Sequence, residues 1–434
     1  MTTTIAVTDS YSLDAGASLD FLDQDAFHLI GEGKPAITIA GAVHVTGTAS
    51  THLVRGFYEA GAASSTVWIQ AAGVMDIAAA GAKTQADIGV FIDPAHFTND
   101  GTMTVSAAFD AAGLGFEQEF KFDTTGPLRV GPTGRAETGV FGWPANPGEI
   151  TNSGSIKVTA EGAATSVSFY GDLDNAGEIR ATGAAATAVE LTGAFHNTGA
   201  ISAQAGGDMA HGLIFHAGGG GFTNDGSVIA TGDHGSVGVD VVLPSGAAGQ
   251  TFDNSGLIQG AVAFLLEADA HYGHVTLQNS GRILGDVLLG DDADTIINTG
   301  LIDGVVDLRD GDDAYDGSAR GRVGGAVYGD GGDDALSSGR HGEVLFGDDL
   351  AGETAGDDTL TGGGGADTLT GGLGADLFPY LALTESRGAK ADLIADLDAS
   401  DRIDLSAIDA VTARAGNQAC HRVGALDGHA REAA

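Results

Sequence analysis

Apolar and polar residues alternate in short runs along most of the chain, and turn-forming residues separate these runs. Residues 155–159, Ser-Ile-Lys-Val-Thr, are typical, because every second side chain is apolar. A period of two buries one side of a strand against a core, so such runs predict β-strands. Similar runs at 36–45 and 65–71 predict that this structure begins early in the chain.

One seven-residue pattern recurs between the runs: apolar, any, Asn, any, Gly, any, apolar. From Asn152 onward, successive asparagines are 19 to 30 residues apart, which suits one coil of three short strands. We predict a parallel β-helix, or solenoid, in which the asparagines of stacked coils form a hydrogen-bonded ladder. We also expect left-handed turns, which Asn and Gly tolerate. An all-β sandwich with similar turns is the alternative. The asparagines are Asn99, Asn152, Asn175, Asn197, Asn224, Asn254, Asn279 and Asn298.

One stretch departs from this pattern. Four of the eight prolines lie between Pro127 and Pro147, together with Trp143 and several glycines. Prolines and glycines in such density are typical of loops. We therefore predict a surface loop inserted at about 127–148.

After residue 285 the turns become acidic while the spacing stays near twenty residues. Apolar strand openers stand 19, 21 and 18 residues apart, and a glycine- and aspartate-rich turn follows each of them. Each coil thus places one acidic turn at the same angular position. The openers are Val287, Val306, Val327 and Leu345, and the aspartates that close the first three turns are Asp294, Asp313 and Asp334.

The net charge of the chain helps to indicate what the acidic turns bind. Asp and Glu number 59 against 19 Lys and Arg, a formal net charge of −40, which disfavours nucleic acid and anionic lipid as partners. No apolar run approaches the length of a membrane span. Regularly spaced carboxylates in glycine turns indicate ligands for a hard cation such as Ca²⁺, which takes six to eight oxygens. With Cys420 as the single cysteine, no intrachain disulfide can replace that ion.

Residues 362–370 and 371–379 are two tandem units of the nonapeptide G-G-x-G-x-D-x-U-x, where U is apolar. They resemble the RTX repeats of secreted calcium-binding proteins. The resemblance implies a parallel β-roll that binds several Ca²⁺ ions through aspartates and glycine carbonyls, with alternate units on opposite sides. Asp358 and Asp376 would then share one side, and Asp367 would lie on the other. The implied ligands are Asp358, Asp367, Asp376, Asp334, Asp313, Asp294, Gly356, Gly363, Gly365, Gly372 and Gly374.

Residues 381–418 include Asp401-Arg-Ile-Asp404-Leu-Ser406 and resemble the C-terminal domain of serralysin-type proteins. This resemblance implies a cap on the roll and type I secretion through an uncleaved C-terminal signal. The first residues of the chain show neither a basic nor an apolar signal-peptide region, which fits that route. The tail at 419–434 departs from the family.

The predicted fold class is all-β, a parallel β-helix (solenoid) that runs into a calcium-binding RTX parallel β-roll. We predict an Asn-Gly solenoid at 1–284, an acidic roll at 285–380 and a cap at 381–418. We expect a secreted or cell-surface protein with a structural or adhesive role and a glycan as a further partner.

Enzymatic activity is left open. The zinc-protease motif His-Glu-x-x-His and the elbow Gly-x-Ser-x-Gly are both missing from the sequence. The alternative function is an extracellular polysaccharide-active enzyme, an epimerase or lyase, on the side of the solenoid. Clustered Asp, His, Lys or Arg on one face would favour it.

Overall fold

The computed structural model consists of short strands and tight turns, and its described residues contain no helix. The chain divides into two compact units, an N-terminal unit of residues 1–267 and a C-terminal unit of residues 268–434. The division thus comes earlier than the change of composition at residue 285. The structure describes residues 4–7, 10–22, 26–30, 36–47, 57–60, 66–79, 90–92, 96–107, 110–116, 120–131, 136–142, 147–217, 220–244, 249–266, 273–318, 320–348 and 355–408.

Each coil of the N-terminal unit has three faces. The first-face strand ends at the asparagine position, the second-face strand follows the Asn-x-Gly turn, and the third-face strand closes the coil. Equivalent strands of successive coils pair in parallel, so that Ile150 lies between Phe122 of the previous coil and Leu173 of the next. This arrangement confirms the predicted solenoid.

The strands of the N-terminal unit are as follows. The first face holds Ser10–Leu13, Ala36–Ile39, Thr66–Ile69, His96–Asn99, Phe120–Thr124, Gly148–Asn152, the end of Ala163–Asn175, Phe195–Asn197, Phe222–Asn224 and Gln250–Asn254. The second face holds Ser18–Leu22, Ala42–Gly47, Val74–Ala79, Thr102–Ala107, Pro127–Val130, Ser155–Thr159, Glu178–Gly183, Ala200–Ala205, Ser227–Gly232 and the start of Leu257–Leu266. The third face holds Ile5–Val7, Phe27–Ile30, Phe57–Ala60, Val90–Ile92, Asp110–Phe116, Ala136–Gly142, the start of Ala163–Asn175, Ala185–Thr192, Ala210–His216, Ser236–Val242 and the end of Leu257–Leu266.

The core consists of rows of apolar side chains, one from each coil. On the first face Phe195, Phe222 and Phe252 follow one another, with ring centroids 5.0 and 5.1 Å apart. All three are at most 2% exposed. Burying each such ring contributes about 1.5–3 kcal/mol relative to leaving it in water. These rows hold the coils in register.

The predicted asparagine ladder is present inside the N-terminal unit. The Nδ2 amide of each asparagine donates to Oδ1 of the asparagine one coil later, over 2.6 to 2.8 Å from Asn152 to Asn254. All of these side chains are buried. From Asn175 onward each Oδ1 thus accepts from the previous amide, whereas Oδ1 of Asn152 has no hydrogen-bond partner among the described residues.

The same position holds other residues in earlier coils. Leu13, Ile39 and Ile69 stand in register with Asn99, and Thr124 lies between Asn99 and Asn152. The Asn99 amide donates to the Thr124 hydroxyl over 3.3 Å. An aliphatic side chain needs no partner, so these coils stack without the Asn pattern.

The expected left-handed turns are wrong for this ladder. Among the described non-glycine residues, only Arg309 and Asp330 have a positive φ, and the Asn-x-Gly glycines do not. Space explains those glycines instead, because a Cβ on Gly177 or Gly199 would collide with the glycine carbonyl one coil earlier.

The loop predicted at 127–148 is also wrong for the residues that the structure describes there. Pro127–Val130 and Ala136–Gly142 are strands that pair with both neighbouring coils. Pro127 starts its strand, where a residue without N–H is tolerated, and Leu128 and Val130 are buried. The apolar alternation thus overrides the proline content.

The C-terminal unit changes from three-sided to two-sided coils. The first face holds Val275–Asn279, Thr295–Asn298, Ala314–Asp316, Ala335–Ser337, Thr359–Thr361, Leu377–Pro379 and Arg402–Asp404. The second face holds the start of Arg282–Leu288, then Leu301–Asp303 and Arg322–Val323. The third face holds the end of Arg282–Leu288, then Val306–Asp307, Ala326–Asp330, Val344–Asp348, Thr368–Thr370 and Leu393–Ile394. After Val323 the described coils have two strands, the arrangement of a β-roll.

An asparagine ladder also opens this unit. Asn279 donates to Asn298 over 2.9 Å, and Asn298 donates to the buried Tyr315 hydroxyl over 3.3 Å. At the other end, Leu393 pairs with Thr368 and Arg402 with Leu377, so the first part of the predicted cap continues the roll. Residues 409–418 and the tail 419–434 lie outside the described residues. Within the part that is described, no helix is long and apolar enough to cross a membrane.

Candidate calcium site

A row of aspartates follows one edge of the C-terminal unit, in the turns that lead from the third face to the first. We call it the main acidic edge. In each aspartate after the first, Oδ1 accepts the backbone N–H of the aspartate one coil earlier, over 2.5 to 3.2 Å, and Oδ1 of the first accepts the Val275 N–H over 2.7 Å. The main acidic edge consists of Asp294, Asp313, Asp334, Asp358, Asp376 and Asp401.

In four of these carboxylates the second oxygen has no such partner. Oδ2 of Asp313, Asp334, Asp358 and Asp376 is buried, and no hydrogen bond to it is found in the structure as described. Each of these residues is at most 2% exposed. A buried carboxylate oxygen without a donor is costly, so this row requires a proton or a cation.

Burial has a clear electrostatic effect on the row. Loss of hydration raises the pKa of Asp294 to about 7, of Asp313 to about 9 and of Asp334 to about 8. The same cause raises the pKa of Asp358 to about 7 and of Asp376 to about 6. Neighbouring carboxylates add to the shift. The calcium-free edge therefore opposes its own ionisation near neutral pH.

Glycines leave space beside the unpaired oxygens. A Cβ on Gly329, Gly347 or Gly371 would collide with Oδ2 of Asp334, Asp358 or Asp376 respectively. For Gly329 the same point lies 2.5 Å from the carbonyl oxygen of Gly347, one coil later. A carboxylate oxygen and a backbone carbonyl thus converge where only glycine leaves room.

The two upstream aspartates lack this space. Val306 pairs with Val327 and Asp307 with Tyr328, so Leu308 lies level with Gly329. Leu289 holds the same position one coil earlier, beside Asp294, and both leucines are fully buried. Asp294 Oδ2 instead accepts the Gly290 N–H over 3.3 Å. Asp294 and Asp313 therefore share the edge but not the glycine surroundings.

The glycines predicted as carbonyl ligands occupy the tight parts of the turns. Gly363, Gly372 and Gly374 have φ values of 68°, 106° and 150°, which disfavour a side chain. Gly356 and Gly365 have normal φ values, but a Cβ there would collide with the carbonyls of Gly332 and His341 respectively. The structure thus requires glycine at all five positions, and their role as ligands stays a prediction.

A second row lies in the turns that lead from the first face to the third. The Glu343 N–H donates to Asp367 Oδ1 over 2.8 Å, and the Asp367 N–H donates to Asp392 Oδ1 over 3.0 Å. We call Glu343, Asp367 and Asp392 the second acidic edge. As predicted, Asp358 and Asp376 share one edge while Asp367 lies on the other.

Several members of these edges were not predicted from the sequence. Asp401 ends the main acidic edge, and Asp396 accepts the N–H groups of Gly371 and Gly372 over 3.1 and 2.8 Å. Glu343 and Asp392 belong to the second acidic edge. Each of Glu343, Asp392 and Asp401 stands just before a short strand, as the motif aspartates do, and that position could have identified them.

The donor set fits calcium. Within the described ranges, no group of three or more His, Cys, Asp or Glu lies close enough to hold a metal by side chains alone. Backbone carbonyls converge with the carboxylates at Gly329 and Gly347. Carboxylate and carbonyl oxygens in glycine turns are the ligands that Ca²⁺ prefers.

The comparisons agree with this chemistry over a short segment. Residues 354–378 match the family of RTX calcium-binding nonapeptide repeats. These repeats are calcium-binding, and the match includes Asp358, Asp367 and Asp376. It does not extend to the serralysin-type segment, whose resemblance is not confirmed. No curated protein and no solved structure matches the chain.

Proposed function

We propose that this chain is a secreted β-solenoid protein whose C-terminal unit folds around calcium after export. Ca²⁺ ions bind along the main acidic edge from Asp334 to Asp401 and along the second acidic edge. The ions balance the negative charge of carboxylates that the calcium-free fold would have to bury. The observation that carries this proposal is the row of buried Oδ2 atoms with no donor.

The calcium concentration around the protein decides when the C-terminal unit folds. Extracellular calcium modules bind with dissociation constants of about 10⁻⁴–10⁻³ M. Cytosolic calcium is too low to fill such sites, so the C-terminal unit stays loose until the chain reaches the outside. Type I secretion suits a chain that folds only after export. The RTX repeats and the acidic composition support this location.

Calcium titration of the full chain tests the proposal. Circular dichroism should show a gain of β signal when about 1 mM Ca²⁺ is added to chelated protein. Mg²⁺ at the same concentration should produce little change, because it demands a smaller octahedral site. An identical spectrum with calcium and with chelator would overturn the proposal.

The N-terminal unit then serves as a structural or adhesive stalk. Its buried ladders need no ion, and its outward positions are free to contact a cell-surface or matrix glycan. Binding of the full chain to a glycan array, in the presence of calcium, tests this role. A chain that binds no glycan would restrict the role to a structural one.

One cluster favours the alternative, a polysaccharide-active enzyme. On the third face of the N-terminal unit, Glu190 Oε1 lies 3.2 Å from His216 Nε2, and the Ser168 hydroxyl donates to Oε2 over 3.0 Å. His211 Nδ1 lies 3.2 Å from Oδ2 of Asp240, which is 4% exposed. The hydrogen bond from His216 lowers the pKa of Glu190, which keeps this carboxylate ionised. Paired carboxylates and imidazoles can transfer protons.

Matched variants distinguish this alternative from a surface ion-pair network. If the cluster is catalytic, the wild type should cleave or epimerise neutral or acidic polysaccharides. The variant Glu190→Gln should then lose this activity. Asp174→Asn is the control, because Asp174 makes a similar pair with His196 on the first face, at 3.1 Å. The absence of any such activity in the wild type would remove the alternative.

A further inference from the structure

Glu343 lies in a turn that the nonapeptide pattern excludes. The register places Val344 opposite Thr368, so Glu343 stands one coil before Asp367. Ser338 and His341 stand level with Gly362 and Gly365, since the Ser338 hydroxyl donates to the Gly362 carbonyl and Gly365 packs on the His341 carbonyl. This turn lies outside the matched segment 354–378. Neither the motif nor the comparison assigns it a ligand.

The Glu343 carboxylate nevertheless has the same unusual surroundings as the motif aspartates. Glu343 is 3% exposed, and neither carboxylate oxygen has a donor in hydrogen-bond geometry among the described residues, although Ser338 and Arg322 lie near enough to favour its charged form. The hydroxyl of the neighbouring Ser338 donates to the Gly362 carbonyl. A buried glutamate with two unpaired oxygens points to a missing positive charge.

Asp367 supplies the second carboxylate. It accepts the Glu343 N–H through Oδ1 over 2.8 Å, and its Oδ2 is likewise buried without a partner among the described residues. Its negative charge acts directly on Glu343. Two neighbouring buried carboxylates therefore present at least three unpaired oxygens.

We propose that Glu343 and Asp367 form a calcium site on the second acidic edge, with Glu343 as a bidentate ligand. The inference rests on the proposed calcium-dependent function. Glutamate can coordinate Ca²⁺ through both oxygens, as the last ligand of other calcium loops does. The site extends the calcium array one coil upstream, to the described coil in which the second-face strand is first missing.

Counting bound ions in the full chain tests this site. Wild type, Glu343→Gln and Glu343→Asp are dialysed against about 1 mM Ca²⁺, and bound calcium is measured by atomic emission. Glu343→Gln should bind one ion fewer per chain, because it keeps the shape but removes the charge. Glu343→Asp should keep the full number, because aspartate serves at the equivalent place in Asp367. The matched control is Glu149→Gln on the exposed first face of the N-terminal unit, with no expected change.

The outcomes separate the site from the overall function. An unchanged ion count in Glu343→Gln would overturn the Glu343 site and leave the proposed function intact. Wild type that binds no calcium would overturn the proposed function itself. If Glu343→Gln fails to fold even with calcium, Glu343→Asp decides. One ion fewer in that variant would overturn the site.

Discussion

The asparagine ladder of the N-terminal unit and the main acidic edge of the C-terminal unit both stack one polar side chain per coil. An amide carries a donor and an acceptor, so Asn197 can accept from Asn175 and donate to Asn224. A carboxylate only accepts, so Asp358 receives the Asp334 N–H and keeps a second oxygen unpaired. The exchange of an amide for a carboxylate thus turns a self-sufficient stack into one that requires a cation.

Calcium removal should produce the largest difference between the two regions. We expect chelator to increase hydrogen exchange of the backbone amides throughout residues 326–404, because the carboxylates repel one another without an ion. Residues 148–254 should keep their protection, since the amides there satisfy one another. Exchange measured by mass spectrometry, with and without about 1 mM Ca²⁺, checks this. Equal loss of protection in both regions would contradict the comparison.

Without calcium, pH should change the stability of the C-terminal unit, where the buried carboxyls lie. The buried carboxyls have folded pKa values of about 6 to 9, while an unfolded aspartate titrates near 3.9. Between these values the folded state holds more protons, so the free energy of unfolding falls as pH rises. The calcium-free C-terminal unit should therefore be most stable near pH 4 and lose stability toward pH 9.

Thermal unfolding in calcium-free buffer measures this dependence. Saturating calcium should reduce the slope, because the ion replaces the protons. Stability that rises with pH in calcium-free buffer would show that these carboxyls are not buried as the structure places them.

Most of the solenoid follows from the sequence because its repeats are local. The Asn-x-Gly spacing predicts the ladder, and the spacing of the acidic turns predicts the main acidic edge. Ile39 and Ile69 could not be recognised as members of the ladder position, since an aliphatic residue in a strand carries no signal of register. Their equivalence to Asn99 appears only when the coils are stacked.

The site was harder to predict where a turn has a buried acidic residue but not the glycines of the motif. Leu289 and Leu308 look like ordinary core residues, and only the register shows that they fill the glycine position beside the aspartates. Glu343 was missed for the opposite reason, because its turn lacks the glycines while its carboxylate keeps the buried surroundings. A sequence motif reflects what the backbone of a turn requires. Whether a carboxylate oxygen lacks a hydrogen-bond partner depends on the residues of the neighbouring coil.

Replacing one amide of the N-terminal ladder by a carboxylate should lower the free energy of unfolding by less than the loss of calcium from the whole C-terminal unit. Asn197→Asp removes the donors to Asn224 and Ser227 and buries an unpaired charge. We expect a loss of about 3–5 kcal/mol in unfolding free energy. Asn197→Ile is the matched control and should cost less, since Ile39 and Ile69 occupy this position in earlier coils. Denaturant unfolding measures both, and equal costs would mean that charge is not the cause.

The smallest effect concerns single rungs of the acidic edges. Asp367→Ala and Asp376→Ala each remove a carboxylate ligand in a turn with the full glycine pattern, and we expect a larger loss of calcium affinity at the affected site than the about 10- to 100-fold that loss of an outer-shell partner costs. Asp294→Ala should change calcium affinity little, because Leu289 fills the space that glycine leaves in the later coils and Oδ2 already accepts the Gly290 N–H. Isothermal titration of the three variants compares them directly. Equal losses in all three would mean that the leucines do not close the upstream positions, and that the array of ions extends to the first acidic coil.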